Sequence, residues 1–128
     1  MIVVDASVVY EMLLGSAPAR ERLSHEKLIA PQLIQVEVMN ALRRRLLAKV
    51  ISPKRAEEAL DDYEDTYIIL FNHAQLMGRA WELRDNVTSY DAMYVALAEW
   101  FGVPLVTMDA TLAGAPGVKA SVEVLPVG

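Results

Sequence analysis

Two carboxylates in this 128-residue chain stand at the ends of short apolar runs that are typical of buried strands. Asp5 follows residues 2–4, and Asp109 comes soon after the run at residues 103–107. In parallel sheets covered by helices, ligands bind beyond the carboxyl ends of the strands. We therefore expect the two carboxylates to converge at one edge of a sheet, where they could help to bind a cation.

Two further acidic residues can reach the same edge. Asp91 lies in the first turn of a predicted apolar-rich helix, and Glu37 projects from the first half of a long one. Each of the four acids also has a purely structural explanation. The strand-end acids could cap the helices that follow them, Asp91 could interact with the helix macrodipole, and Glu37 could be an exposed surface residue.

Four carboxylates at one edge would repel each other strongly. Two unit charges about 5 Å apart interact by roughly 3 kcal/mol at an effective dielectric near 20. A hard divalent cation such as Mg²⁺ or Mn²⁺, which prefers oxygen ligands, would relieve this repulsion. Such a site can activate water and stabilise the oxygens of a phosphodiester. Without the metal, at least one carboxyl group should have a raised pKa.

Composition limits the chemistry further. The chain has no cysteine and only two isolated histidines, His25 and His73, which excludes thiolate chemistry and argues against a His-rich zinc site. The 54% of hydrophobic and 23% of charged residues indicate one globular domain. The apolar runs are too short for a signal peptide or a membrane span, so we expect a cytoplasmic protein. A net charge of −5 argues against a generally basic nucleic-acid binder but allows a local basic patch.

Apolar runs and periodicity predict strands that alternate with helices. Strands are expected at residues 2–5, 28–30, 67–71, 103–107 and 122–125. Helices are expected at residues 7–14, 19–23, 32–50, 53–65 and 74–85, from about 90 to 101, and as a short turn near 111–112. Ser7 and either Thr88 or Ser89 are the predicted N-caps of their helices, and Gly102 the predicted stop. The pattern predicts one α/β domain over residues 1–128, with a mostly parallel central sheet and helices on both faces.

The helix predicted at residues 32–50 carries both apolar and polar faces. Its expected apolar stripe consists of Leu33, Val36, Leu42 and Leu46. Glu37, Asn40 and Arg44 follow at helical spacing and share another face. Arg44 could therefore approach a phosphate beside Glu37, whereas Arg43 and Arg45 should point elsewhere. The arginine run could equally be a solvated surface.

Four segments together resemble the PIN-domain pattern. They are residues 3–7 (VVDAS), Glu37 with residues 40–44 (NALRR), residues 89–92 (SYDA) with 94–98 (YVALA), and residues 105–109 (LVTMD). In order and spacing they are similar to the VapC toxins of bacterial and archaeal toxin–antitoxin pairs. The resemblance covers essentially the whole chain.

The resemblance implies a metal-dependent endoribonuclease that uses Mg²⁺ or Mn²⁺, forms a homodimer and is silenced by a VapB-type antitoxin. Carried over by position, the acidic set is Asp5, Glu37, Asp91 and Asp109. Thr107 matches the hydroxyl residue near the metal, and Ser7 and Asn40 match supporting polar positions. The family often has a basic residue after the fourth acid, whereas Ala110 follows Asp109 here. The fourth acid could therefore bind the metal directly, support another ligand or bind a second metal.

Other functions remain open from the sequence. A PIN-like module with a decayed site could bind RNA or protein without catalysis. An aspartyl-phosphate phosphatase or receiver-like domain also has a strand-end aspartate, but it needs a second close acid, and here Ser7 stands two residues after Asp5. Tyr90 and Tyr94 could stack on RNA bases or belong to the core.

Overall fold

The computed structural model describes residues 1–127, so Gly128, the last residue of the predicted domain, lies outside the described residues. The strands are β1 (Ile2–Val4), β2 (Leu28–Pro31), β3 (Ile68–Phe71), β4 (Leu105–Thr107) and β5 (Val122–Val124). The helices are α1 (Ala6–Leu13), α2 (Ala17–Leu23), α3 (Ile34–Leu47), α4 (Pro53–Asp65), α5 (Met77–Glu82), α6 (Ser89–Phe101) and α7 (Ala110–Ala113). The predicted alternation of strands and helices is confirmed, with most ends moved by a few residues.

The five strands form one parallel sheet in the order β3-β2-β1-β4-β5. Ile2 of β1 lies opposite Leu28 of β2, and Val4 lies opposite Val106 of β4. The helices α1 to α4 pack as one group, and α5 packs with α6 as another. The predicted α/β fold with a parallel sheet is therefore confirmed. Because β1 and β4 end side by side, the residues that follow them meet at one edge.

The buried core surrounds the three central strands. β1, β2 and β4 are buried throughout, whereas the outer strands β3 and β5 are only half-buried. Burial on both faces explains why the central strands are continuous apolar runs in the sequence. α6 packs on β1 and β2 and buries most of its side chains, including Tyr94 and Val95. This packing fixes the strand and helix ends that carry the acidic residues.

The start of α1 differs from its prediction. The N-cap is Asp5 rather than Ser7, because Oδ1 of Asp5 accepts a hydrogen bond of 3.2 Å from the backbone N–H of Val8. An aspartate is as good an N-cap as a serine. The hydroxyl group of Ser7 instead donates to the Asp5 carboxylate. The later N-cap prediction is confirmed, since Thr88 caps α6.

The helix α3 is shorter at both ends than residues 32–50, and its buried face agrees only in part with the predicted one, since Leu42 is buried and Leu33 packs against the core. Its buried residues are Ile34, Val38, Ala41 and Leu42. Val36 is 62% exposed, so its place in the apolar stripe was wrongly predicted. The geometry explains the error, because a residue two positions after Ile34 lies roughly 200° around the helix from it.

The helix α5 is also shorter than the predicted residues 74–85. Before it, the side chain of Asn72 accepts a hydrogen bond from the backbone N–H of Ala74, and this turn competes with the helix. The predicted burial of Leu76, Ala80 and Leu83 is confirmed. The longest of the described helices, α3, has 14 residues. None of the helices in residues 1–127 is long and apolar enough to cross a bilayer.

Candidate active site

A cavity of about 230 Å³ opens at the carboxyl edge of the sheet, beside the ends of β1 and β4. All four predicted acids line it: Asp5, Glu37, Asp91 and Asp109. They come from four separate segments, as expected. Other side chains in its wall belong to Ser7, Tyr10, Arg44 and Tyr94. The structure therefore brings the predicted acidic set and Arg44 together.

Hydroxyl groups near the ends of β1 and β4 hold the Asp5 carboxylate at the cavity wall. Its Oδ1 accepts a hydrogen bond of 2.6 Å from the hydroxyl of Ser7, and its Oδ2 accepts one from the hydroxyl of Thr107. The Ser7 hydroxyl in turn accepts from the backbone N–H of Met108 at 3.0 Å. These contacts tie the residues after β1 to those after β4. Ser7 and Thr107, both predicted as supporting residues, thus orient a carboxylate that is only 7% exposed.

Glu37 reaches the cavity from α3 and meets a buried tyrosine of α6. The hydroxyl of Tyr94 donates a hydrogen bond of 2.6 Å to Oε1 of Glu37. Burial, followed by the neighbouring Glu37 carboxylate, raises the pKa of Tyr94 far above its ordinary range. The Tyr94 hydroxyl is therefore protonated at neutral pH and acts as a donor.

Asp91 and Asp109 occupy the starts of two helices. The backbone N–H of Asp91 donates to the Thr88 side chain in the first turn of α6, and Asp91 lines the cavity. Oδ1 of Asp109 accepts hydrogen bonds from the backbone N–H of Thr111 at 3.0 Å and from its hydroxyl at 2.7 Å. Asp109 thus caps α7 while it lines the cavity.

The pKa values of three of the acids are raised, in keeping with the expectation for a metal-free site. Burial is the main cause for Asp5, Glu37 and Asp91. Repulsion between carboxylates adds to it, since Asp109 raises the pKa of Asp91, and Asp91 raises those of Asp5 and Glu37. Desolvation therefore outweighs the mutual repulsion on which the sequence-based expectation was founded.

The chemistry of this donor set fits a hard divalent cation, because the acids around the cavity offer carboxylate oxygens and no sulfur. The four acids do not surround a single metal position. Within residues 1–127, no three acidic or histidine side chains have the arrangement of a metal site. Three of the four acids already accept hydrogen bonds from other side chains: Asp5 from Ser7 and Thr107, Glu37 from Tyr94, and Asp109 from Thr111.

The three consecutive arginines of α3 take different positions. Arg44 lines both the cavity and a neighbouring groove of about 540 Å³. Arg43 lies in the same groove, so the prediction that it points elsewhere was wrong. Arg45 does point elsewhere, since it pairs with Glu11 at 2.7 Å and lies over the ring of Tyr10.

The remaining predicted residues lie outside the acidic cavity. Asn40 lines the neighbouring groove, together with Arg43 and Tyr90. His73 accepts a hydrogen bond from the backbone N–H of Leu33, which gives it a structural contact. Of the two tyrosines considered for base stacking or for the core, Tyr94 is buried at 1% exposure and Tyr90 is 66% exposed. The sequence did not predict a contact between Tyr94 and an acid, although its position one helical turn after Asp91 places both residues on the same face of α6.

The sequence matches the PIN domain family over residues 2–117, and the chain therefore belongs to that family. Within it, the chain is similar to Ribonuclease VapC1 of Mycobacterium tuberculosis, with 40% identity over 128 residues and 96% of each chain covered. Its fold is similar to that of M. tuberculosis VapC20, a Sarcin-Ricin loop cleaving toxin, with a TM-score of 0.72 and 21% identity over 98% of this chain and 100% of that one. Rickettsia felis VapBC2, bound to a promoter DNA fragment, gives a TM-score of 0.72 and 13% identity with the same coverage.

Proposed function

We propose that the chain is a metal-dependent endoribonuclease and the toxin of a type II toxin–antitoxin pair. The observation that carries the proposal is the cavity in which Asp5, Glu37, Asp91 and Asp109 meet beside Arg44. Helix capping alone does not explain why four acids from separate segments line one cavity. Membership of the PIN-domain family and the similarity to a VapC ribonuclease support the same activity.

The four acids would hold Mg²⁺ or Mn²⁺. When bound, such a cation lowers the pKa of a water molecule and stabilises the charge that develops on a phosphodiester. The chain itself contributes position and charge. Ser7 and Thr107 fix the Asp5 carboxylate, and Arg44 supplies a guanidinium group that can bind a phosphate oxygen beside the acids.

We propose unpaired RNA as the substrate. The groove next to the cavity carries the guanidinium groups of Arg43 and Arg44, the Asn40 amide and the exposed ring of Tyr90. Arginines can bind the backbone phosphates, and an aromatic ring can stack on a base that is not already paired. A net charge of −5 makes such a local basic groove necessary for RNA binding.

The second candidate function is a PIN-like module that binds RNA or protein without catalysis. It is favoured by the absence, within residues 1–127, of three acidic or histidine side chains already arranged around one metal position. Titration of the metal-free protein with Mn²⁺ separates the two functions. The ribonuclease must bind the metal through its acids, whereas the non-catalytic module need not bind it.

Two protein partners belong to the proposal. A VapB-type antitoxin is proposed from the similarity to VapC proteins, one of which has a solved structure described as VapBC2. A homodimer is proposed with contacts from α3 and α4, which enclose an apolar groove of about 220 Å³. Met39 at its rim is 52% exposed. Because RNA is the proposed target, a cytoplasmic location is part of the same proposal.

Metal removal tests the proposed activity. The purified protein should cleave an unstructured RNA in Mg²⁺ or Mn²⁺, lose all cleavage in EDTA, and recover it when the metal is restored in excess. Cleavage is followed on a 5′-labelled RNA by gel electrophoresis. Cleavage that persists in EDTA would exclude a metal-dependent site, and RNA binding without cleavage in either metal would favour the non-catalytic module.

A further inference from the structure

One hydrogen bond joins α3 to α6 directly at the cavity. The hydroxyl of Tyr94 donates to Oε1 of Glu37 at 2.6 Å, although the two residues are 57 positions apart. The Tyr94 side chain is only 1% exposed and belongs to the core cluster, so its ring is held firmly by packing. Glu37 is only partly buried, and its side chain is long and flexible.

This contact places the two oxygens of the Glu37 carboxylate in different surroundings. Oε1 is occupied by the tyrosine hydroxyl, whereas Oε2 accepts no hydrogen bond within residues 1–127. Because the Tyr94 hydroxyl is held in place, its hydrogen bond restricts the rotation of the Glu37 carboxylate about the last bond of the side chain. Both residues line the cavity, so the restriction acts where a cation would bind.

We propose that Tyr94 is a positioning residue for the divalent cation: its hydroxyl holds Oε1 of Glu37, so that Oε2 is the oxygen that Glu37 offers to the metal. The inference rests on the proposed function, because it requires a cation in the cavity. Residues that orient a metal ligand through a hydrogen bond typically contribute about 10- to 100-fold to metal affinity.

The test is a calorimetric titration of the metal-free protein with Mn²⁺. Tyr94→Phe keeps the ring in the core and removes only the hydroxyl, and it should raise the Kd for Mn²⁺ about 10-fold or more. The matched control is Tyr63→Phe, which removes a half-buried hydroxyl on α4, outside the cavity, and should leave the Kd unchanged. Unchanged or tighter Mn²⁺ binding by Tyr94→Phe would overturn the inference.

A double-mutant cycle shows whether Tyr94 acts through Glu37. In Glu37→Gln the amide can still accept from Tyr94 but no longer offers a charged oxygen. We therefore expect Tyr94→Phe to cause no further loss in that background. Losses of equal size in both backgrounds would show that Tyr94 acts by another route and would overturn the inference.

The same titrations separate this inference from the proposed function. If the wild-type protein binds no Mn²⁺, the proposed metal site is wrong. If the wild type binds Mn²⁺ and Glu37→Gln weakens binding while Tyr94→Phe does not, the metal site is supported and only the role of Tyr94 is wrong. Thermal unfolding of each variant without metal establishes that it is folded.

Discussion

The Asp5 side chain uses its two oxygen atoms for different contacts. Oδ1 caps α1 through Val8, while Oδ2 accepts from Thr107 at the cavity. Asp109 likewise caps α7 and lines the cavity. From the sequence, helix capping and metal binding were alternative explanations for these acids. In the structure Asp5 and Asp109 can do both, because one carboxylate has enough lone pairs to cap a helix and to bind a cation.

At the residue scale we predict that Asp91→Asn stabilises the metal-free protein at neutral pH. The pKa of Asp91 is raised by burial and by Asp109, so its folded pKa exceeds its unfolded value, which is near 3.9. The stability that the Asp91 carboxyl contributes is fully present below the unfolded pKa and is lost as pH rises through the folded pKa. In EDTA at pH 7 the variant should be more stable by about 1 kcal/mol, a figure reduced for solvent screening of a half-buried group.

Thermal unfolding of both proteins in EDTA at pH 7 and near pH 4 checks this prediction. The gain of about 4 °C expected at pH 7 should shrink near pH 4, because the raised pKa makes the wild-type carboxyl more protonated there than at pH 7. Millimolar Mg²⁺ should raise the melting temperature of the wild type by binding only its folded state. A variant that melts below the wild type in EDTA at pH 7 would show that Asp91 mainly stabilises the first turn of α6.

Three of the acids that line the cavity could be predicted to meet because each stands at a recognisable position, Asp5 and Asp109 after a strand and Asp91 in a first helical turn. Glu37 was placed less exactly, in the first half of its helix. The contact between Tyr94 and Glu37 could not be predicted, since it depends on how α3 and α6 are placed on the sheet. The groove position of Arg43 was missed for a similar reason. Helical spacing gives the angle between neighbouring arginines, but not which neighbouring helix each one faces.

At the scale of elements, strong local signals were the most reliable. Gly102 ends α6 in the left-handed region, at φ 65°, as its position after an apolar helix indicates. The ends of α3 and α5 were predicted less well. A side-chain turn at Asn72 competes with the start of α5, and Lys49 lies in the left-handed region at φ 59° just after α3. The strands were found because burial on both faces leaves continuous apolar runs.

Gly102 allows a prediction at this scale. Gly102→Ala should lower the stability of the protein by about 1 kcal/mol, because an alanine is strained at φ 65°. Apart from Gly102 and its two chain neighbours, no residue has a heavy atom within 4 Å of the added Cβ, so the cost comes from the local backbone conformation. The matched control is Gly78→Ala in α5, where the space is also open and φ is not positive. Urea unfolding should show a loss for the first variant and none for the second, and equal effects would contradict the backbone explanation.

At the scale of the whole molecule, an acidic protein must gather positive charge where RNA would bind. Several arginines are used in ion pairs with glutamates: Arg22, Arg45 and Arg79. Arg43 and Arg44 form no ion pair within residues 1–127, and both line the groove beside the cavity. Two basic groups that form no ion pair thus lie next to the acids, where a substrate phosphate could reach them.

The proposed homodimer gives a second prediction at this scale. Met39→Glu, at the apolar groove between α3 and α4, should convert a dimer into a monomer, because a charge would be buried against an apolar surface. Met77→Glu on α5, which is 60% exposed compared with 52% for Met39, should leave the dimer intact. Light scattering at micromolar concentration, without antitoxin, measures both. A monomeric wild type would contradict the homodimer, and a dimer broken only by Met77→Glu would move the interface to α5.

The central claim is that the acids around the cavity cleave RNA together with a divalent metal. It is tested most directly by comparing the RNA cleavage rates of the wild type, Asp5→Asn and Asp91→Asn in saturating Mn²⁺, with Asp61→Asn on the exposed face of α4 as the matched control. Each cavity variant should lose more than about 100-fold in rate while remaining folded, and the control should keep the wild-type rate. Wild-type cleavage by either cavity variant would contradict the assignment of the site.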